Sequence, residues 1–538
     1  MSFYKKIITI TQLLMRRCLY SKKNTLRLWL CALLSACTLG AMAQATTPIV
    51  NPQGYNNIAL AGVTAYDPQK LWLFAVEHAH KQSSQFNVED IAQAIQLIYR
   101  EDGYFLVDVQ VSHSGNSAQL TVHEGLLSKI EISGATPELA QTIYKYVMNA
   151  VGDQPLTLER FERGMMLARD LSGVSLTSEF VSSQGVGDDV LKIAATTVKQ
   201  RGSLSLDNLP RNFGKGLYAV LSEEVYSTIT PGDMFRLNVL PSADFNNNWR
   251  GVFGSLTYRA PFGSDGWYAE ATVGTGLTRS LYTGANQTPQ NLFQNTLMAN
   301  VLVGYPIHRD AHSFLYTMSE VGYSALDNSL TGMNDTKASV FRQFLVYSNN
   351  YRDGSTFRAG LTLTGGVADR QFYGTQAVSD PNFYHLRLGA GYTTPLSDLS
   401  AGLGLRLEAS AQMTTSSVPT TEKYFLGDRT RLRGYGYAEL IGDSGIAATA
   451  EISQFYHVGA KYLDSVAPFA FFDVGWLKQN TPIPGMLNET PLASVGIGVQ
   501  TRSQENFSVR AWVGLPLISG YSTPAYSPAI WIQLTQAW

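Results

Sequence analysis

Cysteine is almost missing from this 538-residue chain: its three copies, Cys18, Cys31 and Cys37, all precede residue 44. If the chain is cut after Ala43, as argued below, the remainder holds none. Disulfides, thiolate metal sites and cysteine nucleophiles are then excluded. The absence also suits a chain that crosses an oxidising compartment unfolded, where a stray thiol could be trapped. Charge is sparse too, at 15% of residues with a formal net of −2. No basic stripe appears, so a nucleic-acid partner is not expected. Beyond residue 45 no apolar run is long enough for a spanning helix. Any membrane crossing must therefore use a closed barrel, because open strands leave backbone groups unpaired in lipid.

What is present begins with an export signal over residues 1–43. Lys22, Lys23 and Arg27 precede the apolar stretch from Leu28 to Ala43, which ends in the small-x-small site Ala41-Met42-Ala43. Met15 offers an alternative start. Leu34-Ser35-Ala36-Cys37 offers an alternative, lipoprotein-type cleavage, although the apolar stretch continues past Cys37. Glycine (47) and tyrosine (28) are frequent, as in a β-rich chain with many turns.

Residues 57–199 differ in pattern from residues 200–538, with 44–56 as a short lead. Asn87 can cap a helix with Asp90 three residues on, placing Val88, Ile91, Ile95 and Ile98 on one face, and Gly103 ends it. Strands are expected over Tyr104–Val111 and Ala118–His123 around the turn Ser114-Gly115-Asn116. The order then recurs: a strand over Lys129–Ile132, a helix over Glu138–Met148, a helix with Leu158, Phe161, Met165 and Ala168 on one face, and strands over Val174–Ser183 and Val190–Thr197. Two strand-helix-helix-strand-strand units, 57–126 and 127–199, form a weak internal repeat.

Over residues 200–538 helical periodicity fades into alternating runs broken by Gly, Asn, Asp, Pro and Ser. Sixteen candidate strands run from 201–208 to 527–538, in keeping with strands of about ten residues and unequal loops. Several show two faces. Val466, Ala470, Phe472, Val474 and Trp476 alternate with Phe469, Phe471, Asp473 and Gly475. Ile446, Ala448, Ala450 and Ile452 alternate with Thr449, Glu451 and Ser453. Apolar residues outside with charge inside predict a transmembrane barrel. Its longest gap, about 415–441, holds Leu432-Arg433-Gly434-Tyr435. A carboxylate in an apolar run, as at Asp473, needs a partner, because an unpaired buried charge is very costly. Arg433 is the natural candidate, since its guanidinium is permanently charged and forks onto carboxylates. The expected arrangement is a loop folded into the lumen and latched to the wall. Plainer readings stand beside it: a solvated loop arginine, an Asp473 facing an aqueous lumen, and a Glu451 that is an ordinary lumen residue rather than part of the network. His78 and His80, and likewise His308 and His312, read as incidental surface histidines, so neither a metal nor another cofactor is expected.

These residues resemble two-partner secretion transporters of the haemolysin secretion/activation type, within the superfamily of POTRA-plus-barrel outer-membrane proteins. Leu432-Arg433-Gly434-Tyr435 stands where that superfamily has its Val-Arg-Gly-Tyr/Phe loop motif, with leucine for valine. Phe471, Asp473 and Gly475 match its Phe-x-Asp-x-Gly strand motif. Gly442-Asp443-Ser444-Gly445 and Arg201 to Asn208 are also similar to the family. Ile530, Ile532 and Leu534 before the terminal Trp538 resemble the outer-membrane insertion signal, from which Gln536 departs. The resemblance implies a sixteen-stranded barrel preceded by two α/β POTRA domains in the periplasm of a Gram-negative bacterium. It implies an outer-membrane translocator that secretes, and in some members activates, one exoprotein bearing an N-terminal secretion domain, without ATP. The other partners implied are outer-membrane lipids, lipopolysaccharide and, during biogenesis, the barrel-assembly machinery. Relatives often carry an N-terminal plug helix and linker, and residues 44–56 leave no room for both: either the helix is lacking or the long loop alone closes the pore. The rival readings are a passive porin-like channel and an assembly factor of the same superfamily. No enzymatic activity is expected, because spacing supports no nucleophile–base constellation.

Overall fold

The structure is a computed structural model that describes residues 57–538 apart from 84, 183–188, 210–215, 246–248, 284–288, 330–334, 374 and 483–487. The export signal, the cysteines and the question of a plug helix lie outside the described residues.

The first unit comprises β1 (Asn57–Ala61), α1 (Pro68–Gln82), α2 (Val88–Glu101), β2 (Asp108–Ser114) and β3 (Ser117–His123). Helix α2 starts where its cap dictates. The Asn87 side chain accepts from the Asp90 N–H and the Asp90 carboxylate accepts from the Asn87 N–H, both at 2.8 Å. Val88, Ile91 and Ile95 are fully buried beneath it. The sheet runs β1-β3-β2, with β1 parallel to β3.

Sequence periodicity starts a strand at Tyr104, but the ladder begins only at Asp108. Gly103, at φ +93°, turns the chain, and the Tyr104 N–H donates to the Tyr99 carbonyl at 2.9 Å. The Tyr104 ring packs on Tyr66 and Tyr99. Phe105 and Leu106 then leave this unit and pack on the core of the next. Local alternation cannot distinguish a residue that faces its own sheet from one that faces a neighbouring domain.

Glu124 ties the first unit together. Its carboxylate accepts from the Thr64 and Ala65 N–H groups at 2.7 and 2.9 Å, from the Tyr99 hydroxyl at 2.5 Å, and from the Thr64 hydroxyl. Burial pushes this carboxyl up, but the hydrogen bonds from Ala65, Thr64 and Tyr99 outweigh it and hold it below its ordinary value. A carboxylate lowered in the folded state contributes stability that is complete above its unfolded pKa, about 4.3, and lost as pH falls through the folded pKa. Glu124→Gln should therefore destabilise this unit by about 1–3 kcal/mol near neutrality, and the difference from the parent should shrink as the pH is lowered below about 4. Hydrogen exchange over residues 57–126 of the full chain measures both effects; a pH-independent difference would refute the assignment.

The second unit repeats the order: β4 (Leu127–Ser133), α3 (Pro137–Val151), α4 (Leu158–Arg169), β5 (Val174–Ser182) and β6 (Asp189–Thr197), with sheet order β4-β6-β5. Phe105 of the first unit meets Phe161 and Phe180 of the second at ring separations of 5.9 and 5.3 Å. The Leu158 N–H donates to the Gly103 carbonyl at 2.9 Å. The second unit is in turn fixed to the barrel. Asp170 accepts a bidentate pair from Arg309, both bonds at 2.9 Å, and a 2.5 Å bond from the Tyr316 hydroxyl.

From Gln200 onward the chain closes into an antiparallel barrel of sixteen strands, counting Ser444–Gln454 and Tyr456–Ala460 as one interrupted twelfth strand. The first strand, Gln200–Leu209, pairs with the sixteenth, Ala529–Ala537, from Asp207↔Gln533 to Ser203↔Ala537. Trp538 and Gly202 exchange backbone hydrogen bonds at 3.1 and 3.0 Å, so the chain terminus completes the seam. Ile530 and Ile532 are exposed on the outer face, as are Leu256, Val273, Leu297 and Phe341. Such a band would be a liability in water, and it is the outer face expected of a transmembrane barrel. Among the described residues no helix is long and apolar enough to cross a membrane. Alternation inside the thirteenth strand, Leu463–Lys478, agrees with the sequence reading: Phe469, Phe471, Asp473, Gly475 and Leu477 are buried, and Phe472 and Val474 exposed.

Candidate functional site

Between the eleventh strand, Leu403–Met413, and the twelfth the chain enters the lumen as one long inserted loop. A short ladder, Tyr424–Leu426 against Leu440–Gly442, makes it a hairpin. Its tip is built by Asp428, whose carboxylate accepts from the Thr430 and Arg431 N–H groups, both at 2.6 Å. Leu432 then adopts φ +56°, a left-handed conformation unusual for leucine. It is held there because its side chain is fully buried with Leu426, Tyr435, Leu440, Leu477 and Leu492. Gly475 on the wall leaves the necessary space: a Cβ there would lie 2.7 Å from the Leu432 Cδ1.

That turn aims Arg433 at the wall, where it is 3% exposed. Its Nε and Nη2 donate to the two Asp473 oxygens at 3.1 and 2.8 Å, and its own N–H donates to Asp473 at 2.9 Å. Nη1 donates to Glu451 on the twelfth strand. The guanidinium lies 3.6 Å from the centre of the Phe471 ring. Glu451 is shared with Arg510 of the fifteenth strand, Phe507–Pro516, at 3.0 Å. Two arginines thus face two carboxylates, so the cluster is neutral and its desolvation is compensated by paired charges and hydrogen bonds. The Arg433 carbonyl accepts from the Trp531 indole N–H at 2.9 Å.

Gly434 and Tyr435 lock the same turn to the next strands. A Cβ on Gly434 would come within 2.7 Å of the Ser494 Cβ and 2.9 Å of the Pro516 nitrogen. The Gly434 N–H donates to the Ser494 hydroxyl at 3.3 Å. Fully buried Tyr435 sets its hydroxyl 2.9 Å from the Ala493 carbonyl and 2.7 Å from the Ile518 carbonyl. The structure therefore brings Leu432, Arg433, Gly434, Tyr435, Glu451, Phe471, Asp473 and Gly475 into one cluster. Of the two readings of Glu451, membership of the network is the one realised. Ile530, Ile532, Leu534 and Trp538 lie apart, on the closing strand and its terminus.

Sequence reasoning missed Arg510, Ser494 and Trp531, which carry no motif of their own. It also missed the tether from Arg429 to Asp207 on the first strand, at 2.5 Å. Asp207 shares the feature that marked Asp473, a lone carboxylate in an alternating strand. Glu439 was missed as well; it accepts from the N–H and hydroxyl groups of Ser522 and Thr523 at 2.6–2.9 Å.

Residues 192–501 match the haemolysin secretion/activation protein family ShlB/FhaC/HecB. Among solved structures, CdiB from Acinetobacter baumannii superposes with a TM-score of 0.67 at 17% identity, covering 95% of this chain and 97% of that one. CdiB from Escherichia coli gives 0.72 at 18% identity, with 93% of each chain covered. BamA from Haemophilus ducreyi lacking POTRA domains 1–3 gives 0.51 at 14% identity, covering 91% of this chain and all of that one. At these identities the likeness is one of fold. No curated protein matches the chain by sequence.

Proposed function

This chain belongs to the haemolysin secretion/activation protein family ShlB/FhaC/HecB, and from that membership we propose how it handles its cargo. It is an outer-membrane β-barrel translocator of two-partner secretion, with its two POTRA domains in the periplasm. Our reading adds that the POTRA domains capture one unfolded exoprotein by its N-terminal secretion domain, through strand addition at an open sheet edge. The exoprotein then passes through the lumen, driven by its own folding outside. No phosphate-cradling Gly-rich Lys-Ser/Thr motif occurs in the sequence, and the reading includes neither ATP nor a catalytic step. The outward apolar band meets outer-membrane lipids, with lipopolysaccharide at the outer leaflet. Ile530, Ile532, Leu534 and Trp538 present the closing strand to the barrel-assembly machinery.

The observation that carries this reading is the inserted loop, latched through Arg433 to Asp473 and Glu451. A passive pore has no need of such a loop together with two periplasmic domains. Co-expression with the partner exoprotein in a Gram-negative host tests it. The partner should reach the medium only when this chain is present, and residues 200–538 alone should insert yet release none. Release by the barrel alone would overturn the role given to the POTRA domains.

A further inference from the structure

A second charged cluster holds the inserted loop, on different strands from the Arg433 latch. Before the hairpin begins, the loop makes a single helical turn, Thr420–Glu422, and Glu422 is 3% exposed. Three basic side chains from two strands converge on it. Arg342 of the eighth strand, Thr336–Asn350, donates to one oxygen at 2.5 Å. From the tenth strand, Asn382–Pro395, the fully buried His385 side chain meets the other oxygen at 3.0 Å, and Arg387 lies 3.8 Å away. The backbone of the same residue is held as well. The Glu422 carbonyl accepts from Arg387 at 2.9 Å and from Gln412 at 3.0 Å. Arg342 is steadied from behind by Glu320 at 2.5 Å.

Neither cluster shares a partner with the other. The Arg433 side chain engages the twelfth and thirteenth strands, and that of Arg429 reaches the first; the Glu422 side chain engages the eighth and tenth. In a closed ring of sixteen strands the first stands across the lumen from the eighth and tenth, so the loop spans the pore between them. A segment pinned at one end can swing aside, whereas one pinned at both ends obstructs. We propose that Glu422 is a positioning residue: it anchors the near limb of the loop independently of Arg433, and the lumen stays closed at rest because both anchors hold. Cargo passage then requires release of the Glu422 anchor as a distinct step. This rests on the reading of the loop as the element that closes the pore.

The test is single-channel recording of the purified full-length protein in planar bilayers, with assembly checked by heat-modifiable migration. Glu422→Gln loses its charge-assisted bonds and should raise open probability roughly tenfold or more. His385→Gln, which leaves the carboxylate and both arginines in place, should give a smaller rise, and it carries the test should Glu422→Gln not assemble. Arg236→Gln, which removes an ion pair between the strands Gly216–Tyr226 and Met234–Asp244, Arg236–Glu224 at 2.6 Å, should leave gating at the parent level. Because the anchors share no partner, the rises in Glu422→Gln and Arg433→Ala should multiply in the double variant. Parent-like gating in both clamp variants, an equal rise in Arg236→Gln, or a double variant no more open than either single one would each overturn the proposal. Failure of the parent to export any partner would instead overturn the transport reading and leave these gating outcomes standing.

Discussion

Arg433→Ala is expected to abolish partner secretion while the barrel still inserts and closes. The substitution leaves Asp473, fully buried, with the residue 433 N–H and a 3.5 Å contact to the Ser494 hydroxyl. Removing one partner of a buried ion pair costs roughly 3–5 kcal/mol, most of it the penalty on the stranded charge. Glu451 keeps Arg510, so the loss falls on the loop's seat rather than on the wall. The wall itself depends on the backbone ladder, in which Asp473 stands opposite Thr449 and Ser494 whatever occupies position 433. Arg433→Lys should fail nearly as badly. A lysine is a point charge and cannot fork onto Asp473 while also reaching Glu451. Partner released into the medium, set beside heat-modifiable migration of the barrel, separates the two effects. Normal secretion by Arg433→Ala would remove the latch from the mechanism.

Gly434→Ala should give a comparable defect with every charge intact. The new methyl would meet the Ser494 Cβ at 2.7 Å and then the backbone of the fifteenth strand and its exit, the Pro516 nitrogen at 2.9 Å and the Leu515 carbonyl carbon at 3.0 Å. Backbone held in a ladder cannot yield as a flexible side chain would. The loop must lift instead, which strains the adjacent Arg433 fork; overpacking of this kind costs roughly 1–3 kcal/mol. Gly514→Ala presses on the same contact from the other side, where a Cβ would stand 2.5 Å from the Arg433 carbonyl oxygen. Gly360→Ala and Gly389→Ala supply the control, because nothing lies within 4 Å of a Cβ at either position. Secretion should collapse in the first pair and persist in the second. A fully secreting Gly434→Ala would mean that close seating of the loop is irrelevant and charge pairing alone suffices.

The strands of the barrel and the central ion pair were legible because both are written locally. Alternation with period two marks a wall with one wet and one oily side, whichever strands it later pairs with. Asp473 stood out because a carboxylate among Phe471, Phe472 and Val474 demands a cation, and Arg433 had the right chemistry. The first unit shows the limit of that logic. Tyr104 to Val107 have the composition of a strand, yet Phe105 and Leu106 belong to the core of the neighbouring domain.

The sequence by itself determined that the chain forms a barrel and pointed to an infolded, arginine-bearing loop, since side-chain alternation and the cost of an unpaired charge do not depend on distant contacts. Only the tertiary structure decided how that loop is held: by Glu451 and Arg510 beside the latch, by Asp207 on a strand 222 positions from Arg429, and by Arg342 and His385 across the lumen from it. The reason is closure. Bending the sheet into a ring makes neighbours of residues that no periodicity relates, and which lumen charges meet is set by register and curvature rather than by any local pattern.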